Sequence, residues 1–599
     1  MLKVPSFSQS KPKLYEIPAP GRGGLNLEDL DYTLTSNQSP NMLNMMYKNG
    51  AFGKRHGQKY ITENLPSEIL KVGYYEGKVV MHAGTKLYTF ENGMIAEIYN
   101  GLSTTSGVFI NFNKNLYYLN GAFIEYNGTT CKAVDPYIPE VHINRKPDGS
   151  YGDVIEPYNR LGSAFKNTFN GDGTSTVYHL TDKNLDAGSK VTCEVDLKEV
   201  TNFTVNYTDG TVTFNTAPTK GQNNVVITAH KTEQEYIDSI LNCRLAANYG
   251  GNNNSRIFLA GGGNSNVFFS YVFDATYWPE TNHLTLGNAE TDVTGFGEQN
   301  DALMVFKSDS MYRIDYYLND DGTADFTTYI INPKIGCTAS NSIQLINNRL
   351  TWFSDIYGVC TLVSTLLENE KNVQVISRNI NGGLRANGLM QEKDLSKIQT
   401  ANWDGQYWLA VNGHVYMWDY TITPYSDTGK PDYDASKLAW YMFDNFDVTQ
   451  FVNYNTELYY ARGKRLVKLT EDFNDFGNPI AAKYQTPLSQ FGAEIYLKNV
   501  IDLFVQCRAD TASVIDIKYV TEGAPEIEDE SIVIGARLWE QFSYGTFAWL
   551  VINYGHMFRR KCNLKKVQMA GVLFENKELD RDMSLSYLGF TYSLVKKAS

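Results

Sequence analysis

Short apolar runs joined by tight glycine or polar turns recur over most of the chain. The clearest examples lie within Ser255–Ile314, where residues 256–260 and 267–271 flank a glycine turn and residues 303–307 and 311–314 flank a polar turn. Two apolar runs separated by such a turn predict a β-hairpin. The number of times this hairpin recurs therefore predicts the fold.

The hairpin pattern recurs seven times. The runs begin near Val79, Leu116, Ile257, Leu303, Leu350, Tyr407 and Leu458, with separations of 37, 141, 46, 47, 57 and 51 residues. A hairpin period of roughly 40 to 50 residues is typical of β-propeller blades. The single wide separation predicts that about 90 residues are inserted between two blades.

Two further β-rich regions interrupt or follow this repeat. In residues 156–235, the run Phe203–Tyr207 alternates strictly, and Asp209-Gly210 is a strong hairpin turn. These features predict a small inserted β-sandwich. Residues 478–599 have longer candidate strands and predict a second sandwich of jelly-roll type. Those strands are predicted at Val500–Cys507, Ser513–Val520, Phe547–Asn553, Lys566–Phe574 and Ser584–Leu594.

The resulting fold class is all-β: a six- or seven-bladed β-propeller with an inserted small β-sandwich and a C-terminal, jelly-roll-like β-sandwich. The predicted boundaries are 1–65 for an extended N-terminal arm, 66–155 for the first propeller part, 156–235 for the insertion, 236–477 for the remaining blades and 478–599 for the C-terminal domain. Gly21, Gly23 and Gly24 disfavour regular structure in the arm. The arm can lie along its own chain or dock on a neighbouring subunit, and the sequence leaves both open.

The composition agrees with an all-β chain, and the net charge limits the kinds of partner that the chain is expected to bind. Aromatic residues make up 13% of the 599 residues, and they favour half-buried strands. The net charge of −13 argues against a protein that grips phosphates, although it suits a passage through which DNA slides. Seven scattered cysteines without a C-x-x-C pair predict reduced thiols. The N-terminal residues show no apolar signal segment, which predicts synthesis in a cytoplasm and no membrane anchor.

Candidate catalytic and metal-binding residues are few. The eight histidines never occur at i,i+2 or i,i+4, so no metal site is predicted. Asp274 and Glu280 flank Tyr277-Trp278 and could form a sugar site, but aromatic packing between blades with the acids in a loop is the commoner interpretation. The turn 319–322 lacks the glutamate of a calcium-binding loop. We therefore predict no enzymatic activity and no cofactor.

Basic side chains in two regions are the candidate partner contacts. The run around 559–566 could meet an acidic partner or DNA phosphate, or it could protect a solvated strand edge from pairing. The predicted contact residues are Arg22, Lys54, Arg55, Arg559, Arg560, Lys561, Lys565 and Lys566.

Several motifs in the chain resemble those of tail hub, or nozzle, proteins of short-tailed bacteriophages. They are S-R-I-F-L-A-G from Ser255, S-x3-D-x-T-Y-W-P-E from Ser270, L-x-V-F-K-x-x-S-x-Y-R-I from Leu303, and I-G-C from Ile335 followed by L-T-W-F-S from Leu350. The N-terminal G-K-R-x-G, together with G-G-L-N and N-Q-S-P-N-M-L-N, is similar to the start of many virion structural proteins. The inserted F-x-G-D-G-T and G-T-V-T-F-N-x-A-P-x-x-G resemble an accessory β-domain of phage tail proteins.

This resemblance implies a structural role in the virion tail without catalytic residues. The expected assembly is a homo-oligomeric ring, hexameric in the family, below the portal and adaptor. That ring would retain the packaged genome and form the channel through which double-stranded DNA passes transiently at ejection. Two alternatives stay open at this stage. One is a glycan-binding or glycan-cleaving propeller of a host-recognition apparatus, and the other is a propeller scaffold of a longer tail or baseplate.

Overall fold

The structure, a computed structural model, contains almost only β-strands. It describes residues 11–48, 50–251, 253–320, 322–363, 372–383, 387–422, 432–508, 513–523, 526–529, 531–534 and 556–597. The two α-helices in these ranges are α1 (Gln234–Leu241) and α2 (Arg378–Asn381). Short 3-10 turns lie at Ser340–Ser342, Leu389–Gln391, Leu395–Lys397, Tyr420–Ile422 and Ala435–Lys437.

The strands are numbered in chain order. Before residue 240 they are β1 (Lys13–Pro18), β2 (Gly24–Leu25), β3 (Gln38–Ser39), β4 (Asn41–Leu43), β5 (Met45–Lys48), β6 (Ala51–Lys54), β7 (Gln58–Tyr60), β8 (Ile69–Tyr75), β9 (Lys78–Ala83), β10 (Lys86–Glu91), β11 (Met94–Asn100), β12 (Val108–Phe112), β13 (Asn115–Leu119), β14 (Phe123–Tyr126), β15 (Cys131–Ala133), β16 (Glu140–Arg145), β17 (Asp153–Val154), β18 (Ala164–Gly171), β19 (Val177–His179), β20 (Thr192–Val195), β21 (Lys198–Val200), β22 (Phe203–Asn206), β23 (Thr211–Phe214) and β24 (Gly221–His230).

After α1 the strands are β25 (Leu245–Tyr249), β26 (Arg256–Ala260), β27 (Asn266–Phe269), β28 (His283–Thr285), β29 (Val293–Gln299), β30 (Ala302–Lys307), β31 (Met311–Leu318), β32 (Ala324–Asn332), β33 (Gln344–Ile346), β34 (Arg349–Ser354), β35 (Gly358–Leu362), β36 (Val373–Val375), β37 (Gln399–Trp403), β38 (Gln406–Val411), β39 (Gly413–Asp419), β40 (Trp440–Phe446), β41 (Gln450–Tyr454), β42 (Glu457–Arg462), β43 (Arg465–Leu469), β44 (Asn474–Asp475), β45 (Asn478–Pro479), β46 (Ala482–Gln485), β47 (Tyr496–Arg508), β48 (Ser513–Thr521), β49 (Ile527–Glu528), β50 (Ile532–Ile534), β51 (His556–Val567), β52 (Ala570–Asn576) and β53 (Ser584–Lys597).

The chain divides into two compact units, each described by itself. Unit 1 comprises residues 1–69, 338–364 and 371–599, and unit 2 comprises residues 70–337 and 365–370. Unit 2 has four small antiparallel sheets in which four strands pair in chain order: sheet I (β8–β11), sheet II (β12–β15), sheet III (β25–β28) and sheet IV (β29–β32). Unit 1 has sheet V (β33–β36), sheet VI (β37–β40) and sheet VII, in which β7 pairs with β43 as the fourth strand after β41–β43.

The predicted hairpins are confirmed in all seven sheets. Each one forms the second and third strands of its sheet, as β26 and β27 do in sheet III and β30 and β31 do in sheet IV. Almost every residue of the second strands, such as β26 and β30, is buried because these strands are covered on both faces. Their sequences are accordingly near-continuous apolar runs, which is why they stood out.

The inserted region of unit 2 is all-β, as predicted, but it starts earlier. It has a six-stranded sheet in the order β17-β16-β18-β24-β20-β21 and a three-stranded sheet, β19-β23-β22. Its core contains Phe165, Tyr178, Val212 and Ile227. The predicted boundary at 156 is wrong because β16 already belongs to this sheet. Strand β16 pairs in parallel with β18, a long-range pairing that leaves no local hairpin signal.

The C-terminal part of unit 1 contains two larger sheets with a shared apolar core. One has the order β5-β6-β53-β47-β51 with β1 on β53, and the other has the order β4-β46-β52-β48 with β49 and β50 on β48. The predicted strand Lys566–Phe574 is wrong, because β51 ends at Val567 and β52 begins at Ala570. The predicted strand 547–553 lies outside the described residues.

The strands of the N-terminal segment from residue 11 pair with strands from distant parts of unit 1. Strand β1 pairs with β53, β4 with β46, β6 with β53 and β7 with β43. Of the two interpretations that the sequence left open for the arm, the structure shows the one in which it lies along its own chain.

Candidate functional site

A repeated motif lies where the first strand of each sheet turns into the second. In sheets II, III, VI and VII, an asparagine followed by an aromatic residue occupies the end of that strand: Asn111-Phe112, Asn248-Tyr249, Asn402-Trp403 and Asn453-Tyr454. A two-residue turn follows in most sheets. The pairs Glu76-Gly77, Asn113-Lys114, Asn300-Asp301, Asn347-Asn348, Asp404-Gly405 and Asn455-Thr456 all have positive φ. That geometry is a type I′ turn, which Asn, Asp and Gly favour.

The asparagines of this motif link neighbouring sheets within each unit. In unit 2, the Nδ2 of Asn111 donates to the carbonyl of Tyr74 at 3.0 Å, and the Nδ2 of Asn248 donates to the carbonyl of Asn111 at 2.6 Å. In unit 1, Asn402 donates to Leu345 in the same way, at 3.2 Å.

The same bond recurs once more in unit 1, from Asn453 to the carbonyl of Asn402 at 3.2 Å. The linked residues are therefore equivalent positions in successive sheets. The spacing of the Asn-aromatic pairs along the chain is a sequence signal of this repeat.

The G-K-R-x-G motif forms a buried clamp inside unit 1. The Nζ of Lys54 donates to Asn576 Oδ1 at 2.9 Å and to the carbonyls of Glu578 and Arg581. Burial, with a smaller contribution from Arg55, lowers the pKa of Lys54 to about 8. The positive charge of this motif is thus used within the chain itself, contrary to the predicted partner contact.

Arg55 is the centre of the clamp. Its guanidinium forms a bidentate pair with Asp475, at 2.9 and 2.6 Å, and its Nε donates to Asn44 Oδ1 at 2.8 Å. The side chains of Arg55 and Asp475 are 3% and 4% exposed. Gly57 is required beside them because a Cβ there would lie 1.8 Å from the carbonyl oxygen of Asn474. The segment that follows β6 therefore packs tightly against β44, the short strand that contains Asn474 and Asp475.

The other predicted basic residues lie at or near the surface of unit 1. Arg22 is exposed, with its guanidinium 5.7 Å from the ring centroid of Tyr47. Arg559 pairs with Asp502 at 2.9 Å, and Arg560 donates to the carbonyl of Ser531. Lys561, Lys565 and Lys566 are exposed on or near β51. Partner contact by these six residues stays a prediction.

The loop that carries the candidate sugar site packs its aromatic side chains into the interior of unit 2. Trp278 is buried in the core between sheets II and III, and its Nε1 donates to the carbonyl of Ala275 at 2.9 Å. Asp274 accepts from the backbone and hydroxyl of Thr276, which closes its own turn, while Glu280 accepts from the hydroxyl of Tyr236 at 3.1 Å. The aromatic residues therefore pack as the commoner interpretation predicts.

A polar cluster in sheet VI contains a titratable pair. The Nδ1 of His414 lies 2.7 Å from Glu392 Oε1, which also accepts from the hydroxyl of the buried Tyr416 at 3.0 Å. The bond with Glu392 raises the pKa of His414, against the effect of burial. Burial pushes the pKa of Glu392 upward, but the bonds from His414 and its neighbours outweigh this and leave that pKa below its usual value. The charges of this pair, and with them the hydrogen bonds of the cluster, therefore depend on pH.

A cavity of about 520 Å³ in unit 1 is lined by Lys48, Lys468 and acidic neighbours. Two of its three lysines form ion pairs, Lys48 with Asp404 at 3.1 Å and Lys468 with Glu457 at 2.6 Å. The described residues contain no group of three or more His, Cys, Asp or Glu side chains placed to hold a metal ion. Within the same ranges, no helix has the length and apolarity to cross a membrane.

Comparisons with known proteins add only generic similarities. No known family profile matches the chain, and no curated protein matches it either. Among solved structures it is similar to the computationally designed Ika8 protein, with 10% identity, a TM-score of 0.31 and coverage of 69% of this chain and 100% of that chain.

It is also similar to the WD40 domain of Pan2 from Neurospora crassa, at 8% identity, a TM-score of 0.29 and coverage of 71% and 97%. The WD40 domain of SCAP from fission yeast is similar at 9% identity and a TM-score of 0.28, with coverage of 72% of this chain and 98% of that chain. Similarities at these scores carry no argument about function.

Proposed function

We propose that this chain is a structural subunit of the tail hub, or nozzle, of a short-tailed bacteriophage. Six copies would form a ring below the portal and adaptor, retain the packaged genome, and form the channel for DNA ejection. We further infer that the seven small sheets are the blades of one seven-bladed propeller, which β7 closes by pairing with β43. A propeller is a stiff body with short, protected sheet edges, which suits a ring component.

The observation that carries the proposal is the place of the resembling motifs in the fold. Ser255, Ser270, Trp278 and Lys307 belong to those motifs, and all four are buried. Ser270 Oγ accepts from the backbone N–H of Ile257, and Lys307 Nζ donates to the carbonyl of Asn288. Residues shared with the family thus maintain the scaffold and do not converge on a reactive centre. That arrangement favours a structural function over an enzymatic one.

Charge supports the channel part of the proposal. With a net charge of −13, a ring of copies would repel phosphate on average, and this would limit adhesion of DNA to its wall. The rival function, binding or cleavage of host glycans, would need Asp274 and Glu280 to be available. Both carboxylates accept hydrogen bonds from neighbouring side chains, which weakens the rival.

The test is assembly with the portal–adaptor complex of the same virion. We expect native mass spectrometry and electron microscopy to show six copies of the full chain bound to that complex. A chain that never joins the complex would contradict the proposal. Polysaccharide cleavage that is lost in both Asp274→Asn and Glu280→Gln would instead establish the glycan function.

A further inference from the structure

Three consecutive apolar residues are exposed at one loop of unit 2. Tyr271, Val272 and Phe273, between β27 and β28, have 48%, 38% and 51% of their surface accessible. We call these three residues the apolar tip. Single exposed apolar residues are common, but a contiguous group of this kind marks an interaction site.

The tip is held in place by hydrogen bonds on three sides. The backbone N–H of Phe273 donates to Ser255 at 2.7 Å, that of Tyr271 donates to Tyr277 at 2.8 Å, and Asn113 Nδ2 donates to the Phe273 carbonyl at 2.5 Å. Phe273 has a φ of +52°, a left-handed conformation that is strained for a bulky residue. A strained aromatic residue that is kept exposed points to a contact outside the chain.

Arg256 lies behind the tip without an acidic partner. Its guanidinium is 6.0 Å from the ring centroid of Tyr271 and 5.7 Å from that of Phe269. It donates once, to the carbonyl of Ser270, and its buried Nε has no hydrogen-bond partner. In the part of the chain that the structure describes, no carboxylate lies within salt-bridge distance of it. Tyrosine and arginine beside each other are typical of binding hot spots.

A groove that complements the tip lies next to it in the same unit. The cavity has a volume of about 330 Å³ and is lined by Tyr74, Tyr75, Glu76 and residues 111–115. Its lining includes the aromatic residues Tyr74, Tyr75 and Phe112 together with asparagines and Lys114, and the exposed Glu76 supplies a carboxylate at the turn after β8. Asn113 lines the groove and also bonds to the tip, so groove and tip are direct neighbours.

We propose that two copies of this chain pair through these surfaces about a two-fold axis. Phe273 of each copy enters the aromatic groove of the other, and Arg256 of each copy pairs with Glu76 of the other. A two-fold contact makes both exchanges at once because the donor and acceptor surfaces are adjacent. The pairing goes beyond the ring proposed above and does not depend on it.

Sedimentation equilibrium of the purified full chain measures the pairing. We expect a monomer–dimer equilibrium whose dissociation constant rises by about tenfold or more in Phe273→Ala, as loss of a hot-spot residue predicts. Tyr151→Ala, at an exposed tyrosine of the inserted region, is the matched control and should leave the constant unchanged. Circular dichroism of each variant checks that the sheets still form.

Charge exchange gives the decisive comparison. Arg256→Glu alone and Glu76→Arg alone should each remain monomeric, because two like-charge contacts face each other in each homodimer. An equimolar mixture of the two variants should form a heterodimer, because both contacts are then of opposite charge. A wild-type chain that is monomeric at every concentration, or a mixture that stays monomeric, overturns the pairing. Six-copy assembly on the portal–adaptor complex by both variants would preserve the proposed function whatever the outcome of pairing.

Discussion

Arg55 carries a full charge into the interior of unit 1, and the fold depends on how that charge is matched. Asp475 supplies two carboxylate oxygens, and Asn44 and the carbonyls of His56 and Asp444 accept the remaining hydrogens. Arginine is almost never fully buried unless it is paired. Sequence reasoning therefore assigned Lys54 and Arg55 to a surface, since their partners Asp475 and Asn576 lie more than 400 residues away.

Removing one partner of this pair should destabilise the protein strongly. Arg55→Met leaves the Asp475 carboxylate buried without its counterion, which typically costs about 3–5 kcal/mol. We expect a matching fall in the free energy of unfolding from urea denaturation. Lys48→Met removes a solvent-exposed pair and should change it by less than about 1 kcal/mol. Equal effects of the two substitutions would contradict the clamp.

The His414–Glu392 pair should make stability depend on pH. The raised pKa of His414 means that its stabilisation is complete below the ordinary value of 6.5 and is lost as the pH rises through the higher folded value. The lowered pKa of Glu392 keeps its contribution above the ordinary value of 4.5 and loses it in more acidic solution. Asp444 also favours the charged histidine.

We therefore expect the difference in Tm between wild type and His414→Gln to be larger at pH 6 than at pH 8.5. Glu392→Gln should remove the same pH-dependent difference. A Tm difference that is constant between the two pH values would show that the pair does not titrate as described.

At the scale of elements, local pattern predicted the middle strands and missed those whose partners are distant. The hairpins β26–β27 and β30–β31 were visible because both strands and their turn lie within 20 residues. The short outer strands have little periodicity. Strand β51 was missed because its run of basic residues, 559–566, contains only two apolar side chains, the buried Cys562 and Leu564. Pairing between β7 and β43 has no local signal at all.

The asparagine links between sheets allow a direct test at Asn402. Asn402→Ala removes the hydrogen bond to the Leu345 carbonyl and the hydrogen bond that Oδ1 accepts from the Tyr420 hydroxyl, and it should lower the free energy of unfolding by about 1–3 kcal/mol. Asn402→Asp keeps an acceptor for Tyr420 but places a carboxylate against the Leu345 carbonyl oxygen, so it should also be less stable than wild type at pH 7. Chemical denaturation of both variants measures these differences. An Asp variant as stable as wild type would contradict the donor role of the amide.

At the scale of the whole molecule, the N-terminal segment is the part on which most of unit 1 depends. Residues 11–60 contribute strands to both C-terminal sheets and to sheet VII. These pairings also bury Met42, Met45 and Phe52 in the largest apolar core. A segment with so many contacts behaves as an interior element even though it precedes the first complete sheet in the sequence.

This dependence predicts complementation between two fragments. The fragment 66–599 alone should lack the cooperative thermal unfolding of the full chain, because three sheets are incomplete. Adding a peptide of residues 11–65 should restore it, as followed by near-ultraviolet circular dichroism. The same peptide with Lys54→Gln and Arg55→Gln is the control and should restore little. Full cooperativity of 66–599 by itself would refute the prediction.

The pairing of β7 with β43 also sets an order of events during synthesis. A ribosome adds the residues of β43 about 400 positions after those of β7. At roughly 5–20 residues per second, this delay is on the order of 20–80 s. During that time Gln58–Tyr60 must wait without its native partner while sheets I to VI emerge. Closure of sheet VII can therefore occur only after β43 has been translated, and the pairings of β1, β4 and β6 with β53 and β46 must follow later still.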